Sequence, residues 1–200
     1  ISSRSSYAQL FGMRLSMLRS PALASVVVAM LVSVPLACDR VAAAGLVHEL
    51  KGGVLAHDVP DLWSGFRLED SAADINVEAS FTPTLPFLFG VLRPAIGATI
   101  NTRGGTSHAY LDARWEIDLP ARLFFATGLG VAVHDGETGP VAADKKALGS
   151  RVLFHIPIEI GMHLDAHNSR SIYFEHSSNA STQDFNEGLD RIGVRYGYRF

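Results

Sequence analysis

A histidine, a serine and an aspartate stand near the C-terminus in an arrangement that could cleave an ester. His176 and Ser178 are two residues apart, and Asp190 follows in the next hydrophobic segment. A serine hydroxyl is a weak nucleophile until a neighbouring imidazole takes its proton. A carboxylate behind the imidazole fixes its tautomer and stabilises the imidazolium that forms. To cooperate, the three must share one face. Residues i and i+2 of a strand lie on the same side, about 7 Å apart at the backbone. His176 and Ser178 meet this condition if 170–178 is a strand, and Asp190 joins them if the next strand pairs antiparallel. The plainer reading of the same residues is a polar rim where a strand runs into a loop.

The elements that must position them are strands almost throughout. In 151–164, Phe154, Ile156, Ile158, Ile160 and Met162 alternate with His155, Pro157, Glu159, Gly161 and His163. In 108–117, Ala109, Leu111, Ala113, Trp115 and Ile117 alternate with His108, Tyr110, Asp112, Arg114 and Glu116. The last segment sets Ile192, Val194, Tyr196, Tyr198 and Phe200 against Arg191, Gly193, Arg195, Gly197 and Arg199. This period of two predicts strands over 46–57, 74–81, 86–100, 107–118, 122–134, 150–164, 170–178 and 189–200. Short connections at 82–85, 119–121 and 165–169 carry Pro or Asn turn residues. The connections over 58–73, 135–149 and 179–188 are longer and polar, and 101–106 is of middling length. Short turns at one end and longer loops at the other, with a terminal Phe200, predict an all-β fold: an eight-stranded antiparallel transmembrane β-barrel of the bacterial outer membrane. A soluble sandwich or lipocalin-like barrel shares the periodicity but turns the apolar face inward.

Composition supports the membrane reading. The 200 residues are 48% hydrophobic and only 18% charged, where soluble domains carry about 25% charged residues. The formal charge of −3 gives no basic field for nucleic acid. Residues 13–44 have the layout of a secretory signal: Arg14 and Arg19, the apolar stretch 22–34, and Ala42–Ala44 before Gly45. The expected organisation is therefore a leader, 1–44, and a single barrel domain, 45–200. Removing the leader leaves 13 of the 17 basic residues and 19 of the 20 acidic ones, and it removes Cys38, the one cysteine. No metal site and no phosphate-binding or dinucleotide motif is read from the sequence. Trp63, in the first long loop, and Trp115 suit a membrane interface or ordinary packing.

Parity is strict in a barrel. It places His176, Ser178 and Asp190 on the face of Ile172, Phe174, Ile192 and Val194, the face that meets lipid. Polar residues there are costly and ask for a reason. The run His176-Ser177-Ser178-Asn179-Ala180, followed by Asn186-Glu187-Gly188-Leu189-Asp190, resembles the lipid A 3-O-deacylase (PagL-type, acyloxyacyl hydrolase) family. That family is an eight-stranded outer-membrane barrel with a His-x-Ser-Asn motif and, twelve residues after the Ser, a Glu. The resemblance implies that His176 is the base, Ser178 the nucleophile and Asp190 the acid member. Asp190 departs from the family Glu by one methylene, so either the strands approach more closely or the contact to His176 runs through water. Glu187 is the alternative acid, and Asn179 and Asn186 are oxyanion candidates or plain turn residues. The implied substrate is lipid A of lipopolysaccharide, cut at the 3-O ester, with outer-membrane lipids as neighbours and no cofactor. With a periplasmic N-terminus, the loop between the last two strands lies outside the cell and the site faces the outer leaflet. The pattern is compatible with a homo-oligomer. The reading from a different class is a non-catalytic small barrel with a structural or adhesive role.

Overall fold

The computed structural model describes residues 45–64, 69 and 73–200. The expected leader, 1–44, lies outside the described residues. The strands are β1 (Val47–Ala56), β2 (Ala73–Phe81), β3 (Leu85–Phe87), β4 (Gly90–Asn101), β5 (His108–Asp118), β6 (Leu123–His134), β7 (Val152–His163), β8 (Asn168–Ser178) and β9 (Leu189–Arg199). All pairings are antiparallel, in the order β2-β1-β9-β8-β7-β6-β5-β4, and β4 pairs back to β2 to close the barrel. Eight long strands form the wall, as the periodicity predicts.

The short β3 corrects one boundary. Residues 86 and 87 do not begin the strand that runs to Asn101. Leu85, Pro86 and Phe87 pair with Leu92, Val91 and Gly90, beside the stretch of β4 whose other half pairs with β2. β3 thus carries on the line of β2 after a break at 82–84. The chain reverses at Leu88 and Phe89, both with positive φ (42° and 64°). A two-residue reversal of this kind normally recruits Asn or Gly. Two bulky apolar residues gave no turn signal, whereas Pro83 gave a misleading one.

The faces sort as parity requires. Along β7, the even residues from Val152 to Ile160 are exposed or half-buried, and Leu153, His155, Pro157, Glu159 and Gly161 are buried. The outer wall carries Val54, Ile96, Leu111, Leu129, Ile172 and Val194, all large, apolar and exposed. The interior holds two paired networks of charge. Toward the short-turn end, Glu159 accepts from Lys51 (3.1 Å), Arg114 (2.7 Å) and Ser171 (2.6 Å), and also from Arg195. Toward the long-loop end, Glu175 meets His108 (3.1 Å) and Arg191 (3.1 Å), and His155 donates to Asp112 (2.9 Å). Buried charges persist only when partnered, and here each side chain has partners across the bore. An eight-stranded barrel has room for side chains and no channel.

Candidate active site

The strands leave little freedom at the site. His176 lies opposite Asp190 across the β8–β9 pair and opposite Ile156 across the β7–β8 pair. Ser178 lies opposite Phe154. Arg191, next to Asp190, points inward to Asp74, Glu175 and the carbonyl of Thr106, which locks the start of β9 and sends Asp190 outward.

The sequence-predicted trio meets. The Ser178 hydroxyl lies 2.8 Å from His176 Nε2, and His176 Nδ1 lies 2.6 Å from Asp190 Oδ1. Nδ1 donates to the carboxylate, so Nε2 is free to accept from serine. The shorter acid reaches His176 directly, with no water between them. Its second oxygen, Oδ2, accepts the backbone N–H groups of Trp63 (2.6 Å) and Ser64 (2.7 Å). Trp63 then lays its indole on the imidazole, with ring centroids 4.6 Å apart and planes 16° apart, and also stacks near Phe174. Asp190 is 0% exposed and His176 6% exposed, although both stand on the outer face of the wall. The segment 58–64 roofs them, and Ser178 stays partly open.

Sequence reasoning missed this roof. A tryptophan in a polar loop was the one signal, and it pointed as well to a membrane interface. Trp115 instead donates from Nε1 to the Phe87 carbonyl (2.8 Å) at the other end.

The remaining candidates sit nearby in other roles. Glu187 turns to the long loop 135–149, where its Oε2 accepts the Ala147 N–H (2.7 Å). Asn179 uses its side-chain amide on the carbonyls of Leu148 (2.9 Å) and Phe185 (2.6 Å), and its backbone N–H on Asn186 Oδ1 (2.9 Å). Asn179 therefore ties loops together, and its N–H groups are already engaged. Asn186 Nδ2 donates to Ser181 Oγ (3.2 Å).

Behind the site, the base of the outer loops is polar and tightly paired. His57 bridges Asp74 and Glu69 at 2.8 Å each, and Glu69 also accepts from the Thr106 N–H and hydroxyl. Burial would raise the Glu69 carboxyl, but these hydrogen bonds outweigh it and hold the group down to about 2. Burial pushes the Asp58 carboxyl above its ordinary value, against the pull of Lys146. His108, His155 and Glu175 are close enough to share a cation. However, Arg191 Nη1 donates to His108 Nδ1 (3.1 Å). That keeps the His108 proton on Nε2, toward Glu175 (3.1 Å), and sets a fixed positive charge beside the cluster. These groups are tied together as a buried hydrogen-bonded ion network.

The family model described as lipid A 3-O-deacylase (PagL) matches residues 57–199. The chain belongs to the lipid A 3-O-deacylase (PagL) family. The crystal structure of the outer membrane enzyme PagL superimposes with a TM-score of 0.58 at 17% identity, covering 76% of this chain and 99% of that one. Two other solved barrels are similar at lower scores. They are Ail of Yersinia pestis, bound to the heparin analogue sucrose octasulfate (0.45, 11% identity, 78% of this chain and 99% of that one), and Neisserial surface protein A (0.46, 8%, 77% and 97%). At these identities the likeness is one of fold. Among curated proteins, none is similar in sequence to this chain.

Proposed function

We propose that this PagL-family barrel is a serine esterase of the bacterial outer membrane that removes the 3-O-linked acyl chain from lipid A. One observation carries the reading: the continuous hydrogen-bonded line Ser178–His176–Asp190 on the lipid-facing side of the wall. Ser178 Oγ attacks the ester carbonyl carbon while His176 Nε2 takes its proton. The imidazolium is stabilised by Asp190, and the proton passes to the departing sugar oxygen. Water, activated by the same imidazole, then splits the acyl-serine bond to give the free acid. Asn186 is the side chain proposed to donate to the oxyanion.

The surroundings suit a lipid ester. Phe154 stands across from Ser178 and Phe174 lies two residues along β8 from His176, so an acyl chain leaving the serine meets apolar wall. With the N-terminus periplasmic, the long-loop end, and with it the triad, faces the outer leaflet, where lipid A resides.

The test is mass spectrometry of lipid A from cells expressing the full chain or Ser178→Ala. Loss of one hydroxyacyl chain with the wild type and none with Ser178→Ala, both present as folded, heat-modifiable barrels, is the expected outcome. Ser177→Ala, a substitution of a buried inward residue, should leave deacylation intact. Unchanged lipid A with the wild type, or undiminished deacylation by Ser178→Ala, rejects the assignment.

A further inference from the structure

We infer that Lys146, in the long loop 135–149, is a positioning residue for the esterase reaction: it holds segment 58–64 in the place where that segment orients Asp190. The inference rests on the triad proposed above and extends it to a group that touches neither substrate nor imidazole.

The chain of contacts is short and buried. Lys146 Nζ lies 2.8 Å from Asp58 Oδ1, and both side chains are fully buried. The same Nζ lies 3.4 Å from Ser64 Oγ. One ammonium therefore holds both ends of the segment 58–64. Between those ends the segment grips Asp190 twice. The Val59 N–H donates to the Asp190 backbone carbonyl (3.0 Å), and the Trp63 and Ser64 N–H groups donate to its carboxylate. Asp58 and Asp61 both adopt positive φ (44° and 60°), which bends the segment back on itself. Beneath it, Gly188 has φ 63°, and a Cβ there would fall 3.1 Å from the Ser64 Cβ and 3.2 Å from His176 Cε1. Glycine is what allows the segment to lie this close to the site.

The geometry shows why such a clamp matters. With one carboxylate oxygen fixed by two N–H groups, the other has one direction left, toward His176 Nδ1. Without them, Asp190 could rotate or take a water, and the imidazole would lose its orientation. A buried ion pair adds little net stability over an apolar pair of the same shape, so its use here is better explained by where it holds the loop. The loop 135–149 is itself tied to the site by Ala147 with Glu187 and Leu148 with Asn179.

The experiment is a double-mutant cycle on the refolded full chain, with lipid A in detergent micelles as substrate. Lys146→Met should lower kcat by about tenfold to a hundredfold, the scale of a small misplacement of a reacting group, with KM within about twofold. In an Asp190→Asn background the same substitution should change kcat by less than about twofold, because residues that act through one another are not additive. Lys146→Met with Asp58→Asn removes both charges of this pair and provides a second variant should the single one fail to fold. It should show the same loss and the same non-additivity. Lys145→Met, a change at the neighbouring lysine whose ammonium donates to the Gly104 carbonyl, should match the wild type. A full kcat in both Lys146 variants, or a loss that multiplies unchanged onto Asp190→Asn, overturns the positioning role while leaving the triad intact. Wild-type kcat in Asp190→Asn alone removes the triad reading, and this inference with it.

Discussion

Replacing Asp190 by Asn changes one atom, and the structure says which way that atom must face. Oδ2 of Asp190 accepts two backbone N–H groups, from Trp63 and Ser64. An asparagine amide cannot turn its NH2 toward two donors, so its oxygen must take that position. The NH2 then faces His176 Nδ1, where the carboxylate now accepts at 2.6 Å. To accept from it, the imidazole must move its proton to Nε2, the nitrogen that has to receive the proton of Ser178. The variant thus locks the wrong tautomer and also loses the charge that stabilises the imidazolium. The equivalent change in a serine protease lowers turnover by about 10⁴-fold, a barrier increase of about 5 kcal/mol. Because the contact here is direct and the carboxylate is fully held, a loss of about 10³- to 10⁴-fold in kcat is expected, with KM nearly unchanged. The assay is release of hydroxy fatty acid from lipid A in micelles, with heat-modifiable migration to establish that the barrel is folded. Asp190→Glu, which the family pattern alone would favour, should lose activity too, since one more methylene has no room between His176 and the Trp63–Ser64 N–H groups. A kcat for Asp190→Asn within about tenfold of wild type would refute the tautomer argument. Loss of activity in Glu187→Gln together with retention in Asp190→Asn would transfer the acid role to Glu187.

Three further predictions concern stability. Ile158→Arg, on the outer face of β7, should destabilise the membrane-inserted barrel by about 2–4 kcal/mol. Glu159→Arg, one residue on, should prevent folding, because it sets a fourth cation among Lys51, Arg114 and Arg195; urea unfolding in lipid vesicles measures both, and tolerance of Glu159→Arg would contradict the internal network. Glu69, held down to about 2 from an ordinary 4.5, stabilises the folded state above pH 4.5, and that contribution disappears as pH falls toward 2. It is worth about 3 kcal/mol when complete. The gap in Tm between wild type and Glu69→Gln should therefore be widest near about pH 7 and more than halved by about pH 3; a constant gap would show that the hydrogen bonds to His57 and Thr106 do not favour the charged form.

What the sequence made legible follows from the rule of two. Alternation put His176, Ser178 and Asp190 on one face, and the β8–β9 hairpin set His176 against Asp190 because a short register leaves few alternatives. Inward Glu159 and His155 were legible as polar, but not as members of networks, since their partners come from strands far away in the chain. The reversal at Leu88–Phe89 was invisible because turn chemistry is read from Gly, Asn and Pro, and neither residue is one of these. The clamp on Asp190 was beyond reach for a deeper reason. Its donors are backbone N–H groups of Trp63 and Ser64, and a backbone donor is carried by nearly every residue type. Only the chain path of a loop more than a hundred residues away decides where it points.

The same loop resolves the apparent contradiction of a polar constellation on a lipid-facing wall. An unpartnered carboxylate against hydrocarbon is too costly to persist, yet Asp190 is completely buried and fully hydrogen-bonded on that side of the barrel. The segment 58–64 replaces water with fixed N–H donors, and Trp63 replaces it with an aromatic face, so that His176 and Asp190 are shielded from both lipid and solvent. Trp63 itself remains 55% exposed, apolar on its outer side as its surroundings require. Of the three side chains in the proposed triad, Ser178 alone is left partly open. In the proposed esterase, a site built this way would exclude solvent from His176 and Asp190 before any substrate binds and present Ser178 sideways from the wall, the direction from which an ester anchored in a membrane leaflet can approach.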